Sequence, residues 1–222
     1  MQRNAEAKIN LLDMKKILFT GILSILFVGI SFAQSPRIGI TAGLNTSNVT
    51  TNADGANYKY KAGFQAGVVA DFAITEKFSI IPELLYAQRG FKMDVSDNEV
   101  SGTGSMTLNY LQLPINAAYK FDVGMGSKFL IFAGPYFGYG LSTSAKAESG
   151  GSSVSSTDAV KFGSGADQIK ALDFGLNVGI GYQYEKIFFK LQYNKGLANM
   201  SNTADVSVKN SNIGVSVGYF FN

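Results

Sequence analysis

Two carboxylates three residues apart, Asp94 and Asp97, have a spacing that could support acid–base or cation chemistry. They lack the usual helpers. The 222-residue chain contains no His and no Cys. That removes imidazole proton transfer, thiolate nucleophiles and the common zinc ligand sets. An acidic pair in a polar stretch then reads as a solvated face or a weak cation site. No enzymatic activity, no resident metal and no cofactor are expected. Two Gly-x-Gly elements, Gly124-Met125-Gly126 and Gly179-Ile180-Gly181, lack the strand-then-helix setting of a phosphate-binding loop. They read as turn or interior glycines.

The remaining charges are placed by alternation. From Leu172 to Tyr184 every even position is apolar or aromatic and every odd one is polar or Gly, the period-two mark of a strand. Similar alternation over Arg37–Asn48, Tyr58–Phe72, Phe78–Lys92, Thr107–Phe121, Phe129–Leu141, Ile187–Leu197 and Asn212–Phe221 gives eight strands. Three connections are tight, at Ala73–Lys77, Asp122–Lys128 and Glu185–Lys186. Four are long and polar, at Val49–Asn57, Asp94–Ser105, Ser142–Gln168 and Ala198–Val208. Ser142–Gln168, rich in Ser and Gly, is expected to be mobile and without a packed core.

Short and long connections alternate strictly, as in outer-membrane barrels with short periplasmic turns and long extracellular loops. Strands of about 11 to 15 residues exceed the usual globular strand and suffice to cross a bilayer at a tilt. Aromatic residues at strand ends, such as Tyr58, Tyr60, Phe78, Tyr119 and Tyr184, fit interfacial girdles. The expected fold is therefore all-β, an eight-stranded antiparallel up-and-down transmembrane β-barrel. Because an open edge is costly in lipid, the first strand must pair with the last.

In that barrel the alternation sends Lys59, Lys61, Asp71, Glu83, Arg89, Lys120, Asp173 and Lys190 inward. Gln65, Gln112, Asn116, Asn177, Gln183, Gln192 and Asn194 share their face. Eight strands leave an interior that side chains can fill. Buried charges need partners, so a network centred on Glu83 and Arg89 with Lys190 or Lys120 is expected to fill and rigidify it. Glycines on the inward face would relieve crowding there.

Residues 1–33 read as an export signal. Met14-Lys15-Lys16 opens a positive segment, Ile17–Phe32 is apolar, and Ser31-Phe32-Ala33 supplies the small residues read at cleavage. Cleavage is expected after Ala33, with Met14 as the alternative start and residues 34–222 as the barrel domain. Those first 33 residues carry a local net charge of +2, leaving 15 basic and 14 acidic groups in the rest. No basic patch suited to nucleic acid remains.

Five short motifs appear in order: Gly39-Ile-Thr-Ala-Gly-Leu-Asn45, Pro82-Glu-Leu-Leu-Tyr-Ala-Gln-Arg-Gly90, Tyr110-Leu-Gln-Leu-Pro114, Ala133-Gly-Pro-Tyr136 and Gly218-Tyr-Phe-Phe221. On these the chain resembles the PorT-like outer-membrane β-barrel family, often labelled porin family proteins. Gln112 stands where that family commonly has an acidic residue. The resemblance implies an eight-stranded barrel in a Gram-negative outer membrane with no general catalytic residue. It also implies contact with outer-membrane lipid. In outer-membrane barrels the last strand carries an aromatic signal for the assembly machinery. Tyr219 and Phe221 supply it here, although Asn222 follows. The functional expectation is a filled structural or interaction barrel. The alternatives are an accessory component of a protein-secretion system, with secretion-complex proteins as partners, and a narrow porin-like channel.

Overall fold

The computed structural model describes residues 35–52, 58–97, 100–149, 152–157, 160–165, 167–203 and 205–222, with the side chains of 95–97, 100–101 and 149 left aside. The expected export signal at 1–33 lies outside them, as does the side chain of Asp97.

Nine antiparallel strands form: β1 (Arg37–Thr51), β2 (Tyr58–Ala73), β3 (Phe78–Asp97), β4 (Val100–Gly124), β5 (Ser127–Ser149), β6 (Ser152–Thr157), β7 (Leu172–Tyr184), β8 (Ile187–Gly196) and β9 (Val208–Phe220). Eight close into a ring through the pairing of β4 with β5 and of β1 with β9. Closure pairs the edges that lipid could not hydrate. The ninth strand, β6, pairs with the far end of β5 beyond the ring.

Alternation governs the wall. Along β7 Asp173, Asn177 and Gln183 are buried, while Leu172, Phe174, Leu176, Val178 and Ile180 are exposed. The large exposed apolar residues continue around the ring as Ile40, Leu44, Val68, Leu84, Leu111, Ile131, Leu191 and Val215. Such an outward apolar band suits hydrocarbon rather than water.

The short turns share one end of the barrel. At Met125-Gly126 both residues have positive φ, 53° and 73°, as a two-residue hairpin loop requires. The opposite, loop end departs from expectation. β3 and β4 run on as a hairpin to Asp97 and Val100, and β5 runs to Ser149. Asp94–Ser105 is thus mostly strand rather than loop. The apolar contrast that marks a strand in the bilayer is lost above it, while the backbone ladder continues.

Ser142–Gln168 also differs from the mobile, coreless segment expected. Its far part folds over the barrel mouth, where the Phe162 ring stacks edge-on against Tyr110 at 5.6 Å. Phe162 and Ile169 pack on the buried cluster of Val49, Leu108, Tyr110 and Met200. The Asn202 side-chain amide donates to the carbonyl oxygens of Gly163, Gly165 and Gln168 at 2.9–3.0 Å, tying this segment to the β8–β9 connection.

Candidate functional site in the barrel lumen

Charges meet across the lumen in three separate pairs rather than one network. Each pair joins strands that are not neighbours. Nearest the turn end, Lys120 on β4 reaches Asp71 on β2 at 2.5 Å. In the middle, Lys190 on β8 lies 2.5 Å from both carboxylate oxygens of Glu83 on β3. Towards the loop end, Arg89 on β3 faces Asp173 on β7 at 3.8 Å. Asp71, Glu83, Arg89, Lys120 and Asp173 are all buried. No ion pair between Glu83 and Arg89 occurs among the described residues, because they stand six residues apart along one strand.

The third pair sits in a dense polar layer. Arg89 donates to Gln112 Oε1 at 2.6 Å and to the Tyr136 hydroxyl at 3.4 Å. Tyr136 and Asn210 both donate to Asp173 Oδ2, at 3.3 and 2.8 Å. The guanidinium also lies over the Tyr136 ring, 4.9 Å from its centroid. Between the pairs, Asn177 donates to Asn116 at 2.7 Å and Gln65 to Ser216 at 2.8 Å.

Lys59 is a correction to the expected interior. A β-bulge between Tyr60 and Gln65 inserts one extra residue in β2 against β3. A slip of one residue reverses the face that the side chains beyond it present, although Tyr60 at its edge stays exposed. Lys59 therefore points outward, exposed, and pairs with the exposed Asp94. The same slip turns Tyr58 inward against Phe91, ring centroids 4.7 Å apart, so Tyr58 is not part of a girdle. Lys61 is half-buried at the loop end.

Sequence reasoning missed the apolar filling. At the turn end Val69, Ile81, Leu130, Phe132, Phe188 and Phe220 form a buried cluster inside the barrel. Two of its rings lie in register against inward glycines of the next strand: Phe132 opposite Gly179 and Phe188 opposite Gly218. A β-carbon at either glycine would collide with the ring. The glycines are sockets for aromatics. The signal was present, since Phe132 and Phe188 share the alternation of the inward polar residues.

Apolar clusters thus lie towards both ends of the polar lumen. A cavity of about 30 Å³ between Glu83–Lys190 and the turn-end cluster, lined also by Asp71, Asn116 and Gln183, has room for a water or two. Tyr219 and Phe221 of the last strand are both exposed on the outer face. Among the described residues no cluster of three or more acidic side chains is arranged to hold a metal.

The family model for the outer membrane protein beta-barrel domain matches residues 32–202. The chain belongs to that family. It is an integral β-barrel protein of the bacterial outer membrane. No curated protein matches the sequence. Solved structures similar to it include the attachment invasion locus protein Ail of Yersinia pestis, at 18% identity over 85% of this chain and 100% of that one, TM-score 0.40. Neisserial surface protein A gives 14% identity over 85% and 100%, TM-score 0.43. OprG of Pseudomonas aeruginosa gives 13% identity over 86% and 98%, TM-score 0.46.

Proposed function

We propose that this outer-membrane barrel is a filled structural and interaction protein, neither an enzyme nor a conduit, whose loop end stands outside the cell. The observation that carries the reading is the lumen itself. Three ion pairs cross it, and an apolar cluster packs towards each end. Eight-stranded walls enclose only enough space for side chains, whereas water-filled channels use about 16 strands. The lack of His and Cys in the sequence supports a non-catalytic role.

Within this reading, residues 1–33 export the chain, and Tyr219 and Phe221 are read by the assembly machinery. The five ordered motifs from Gly39 to Phe221 support placing it in the PorT-like branch. Proteoliposomes carrying the protein should show no osmotic swelling with small sugars. Swelling at the rate of a general porin would overturn the filled-barrel reading.

A further inference from the structure

Above the ring the wall continues as an open sheet. β3 and β4 stay paired up to Asp97–Val100, β4 and β5 up to Gly102–Ser149, and β6 pairs with β5 from Ser144–Thr157 to Ser149–Ser152. Unlike the closed ring below, this sheet has two edges. On one side β2 covers β3 as far as Met93, so among the described residues β3 has a free edge from Asp94 to Asp97. On the other side the sheet ends at β6.

The two edges differ in sequence. Asp94-Val-Ser-Asp97 carries a carboxylate at each end, and charge along an edge discourages a further strand. Ser152-Ser-Val-Ser-Ser-Thr157 has no charge, no Pro and no Gly, and its register with β5 is unbroken. The whole run is exposed, Val154 to 72%. No strand among the described residues covers its other side. Alternate residues there present backbone N–H and C=O groups without a ladder partner, which is a template for an added strand.

Height keeps this edge clear of lipid. A strand tilted by about 45° climbs about 2.4 Å per residue. Thr157, level with Ser144, then stands about 12 Å above the exposed Tyr139, and Ser152, level with Ser149, about 24 Å. The headgroup layer is about 5–8 Å deep, so β6 meets molecules outside the membrane.

A second copy in the same membrane does not fit. Two β6 edges face each other there only across a two-fold axis along the membrane normal. Both strands then run from tip towards lipid, and with a tilt of about 35–45° each they cross at about 70–90° instead of forming a ladder.

We propose that the β6 edge takes up an extended, uncharged segment of a partner protein as the next strand of this sheet. The segment lies beside Ser153, Ser155 and Thr157 on one face and Ser152, Val154 and Ser156 on the other. Hydroxyl and β-branched residues are the favoured cross-strand neighbours of such a row, so the segment is rich in Ser, Thr and Val. The backbone ladder supplies affinity and the side-chain rows supply choice. The inference deepens the interaction role proposed above and rests on it.

The test is fluorescence anisotropy of a short labelled peptide of alternating Thr and Val, with a Lys at each end, added to the folded full-length protein in detergent. N-methylation along one edge of the peptide stops it pairing with itself and leaves its other edge free. This probe should bind the parent and Val154→Thr alike, and Val154→Lys at least about tenfold more weakly, because a charge then stands on the edge. N-methylation along both edges should also weaken binding at least about tenfold. Hydrogen exchange at Ser152–Thr157 should slow when the probe is bound. Equal binding by Val154→Lys, equal binding of the doubly methylated peptide, or unchanged exchange would overturn the proposal. So would a dimer of the parent that Val154→Lys dissociates, since a second copy would then hold the edge. Outside placement is tested separately by labelling a T203C variant on intact cells with an impermeant maleimide, Thr203 being exposed at the loop end and the native chain having no Cys. Failure of labelling overturns the outside placement, and failure of peptide binding overturns the docking edge.

Discussion

The same kind of ion pair occurs in two settings here. Inside the barrel, Lys190 and Glu83 meet with side chains 10% and 1% exposed. Outside it, Lys59 and Asp94 meet with side chains 60% and 53% exposed. The outer pair is screened by water and costs little to lose. The inner pair is held among Asn116, Leu130, Phe132 and Phe188, where a charge left alone is far less well solvated than at the surface. It also joins β3 to β8 across the lumen, a link no backbone ladder makes. Burial, not the identity of the pair, decides what each contributes.

The comparison breaks most visibly at Glu83. Glu83→Gln leaves the Lys190 ammonium buried and unmatched, at a cost of about 3–5 kcal/mol. Urea titration of the folded barrel in detergent should show that loss, and a variant as stable as the parent would mean that the inner pair behaves like a surface one. Gly218→Ala tests the apolar part of the same interior. The added methyl meets the Phe188 ring and should cost about 1–3 kcal/mol by overpacking. The loss should shrink when Phe188→Leu is added, measured as a double-mutant cycle. The smallest effect belongs to the outer pair: Asp94→Asn should change stability by no more than about 1 kcal/mol. A loss as large as that of Glu83→Gln would erase the distinction.

Alternation made the wall legible because a bilayer imposes the strongest apolar contrast a strand can have. Leu172–Tyr184 shows it at nearly every position, and the observed β7 has the same bounds. Inward placement of Glu83 and Asp173 followed from the same rule. Lys190 is one of the two lysines expected to meet Glu83 and does so, whereas the pairing of Arg89 with Asp173 was not legible, since they sit on strands across the lumen rather than next to each other. One bulge sufficed to misplace Lys59, because a slip of one residue reverses the face and leaves no mark in the alternation of β2. Above the bilayer the cue disappears. The uncharged, uniformly exposed Ser152–Thr157 run offers no period, so β6 could not be read. Phe162, a lone aromatic in a Ser- and Gly-rich stretch, gave no sign that it would cap Tyr110.

The central claim is that the lumen is filled by side chains, and planar-bilayer recording of the purified, folded protein tests it most directly. The account predicts no steady conductance above the bare membrane. A steady, large, ohmic conductance per inserted barrel would contradict it.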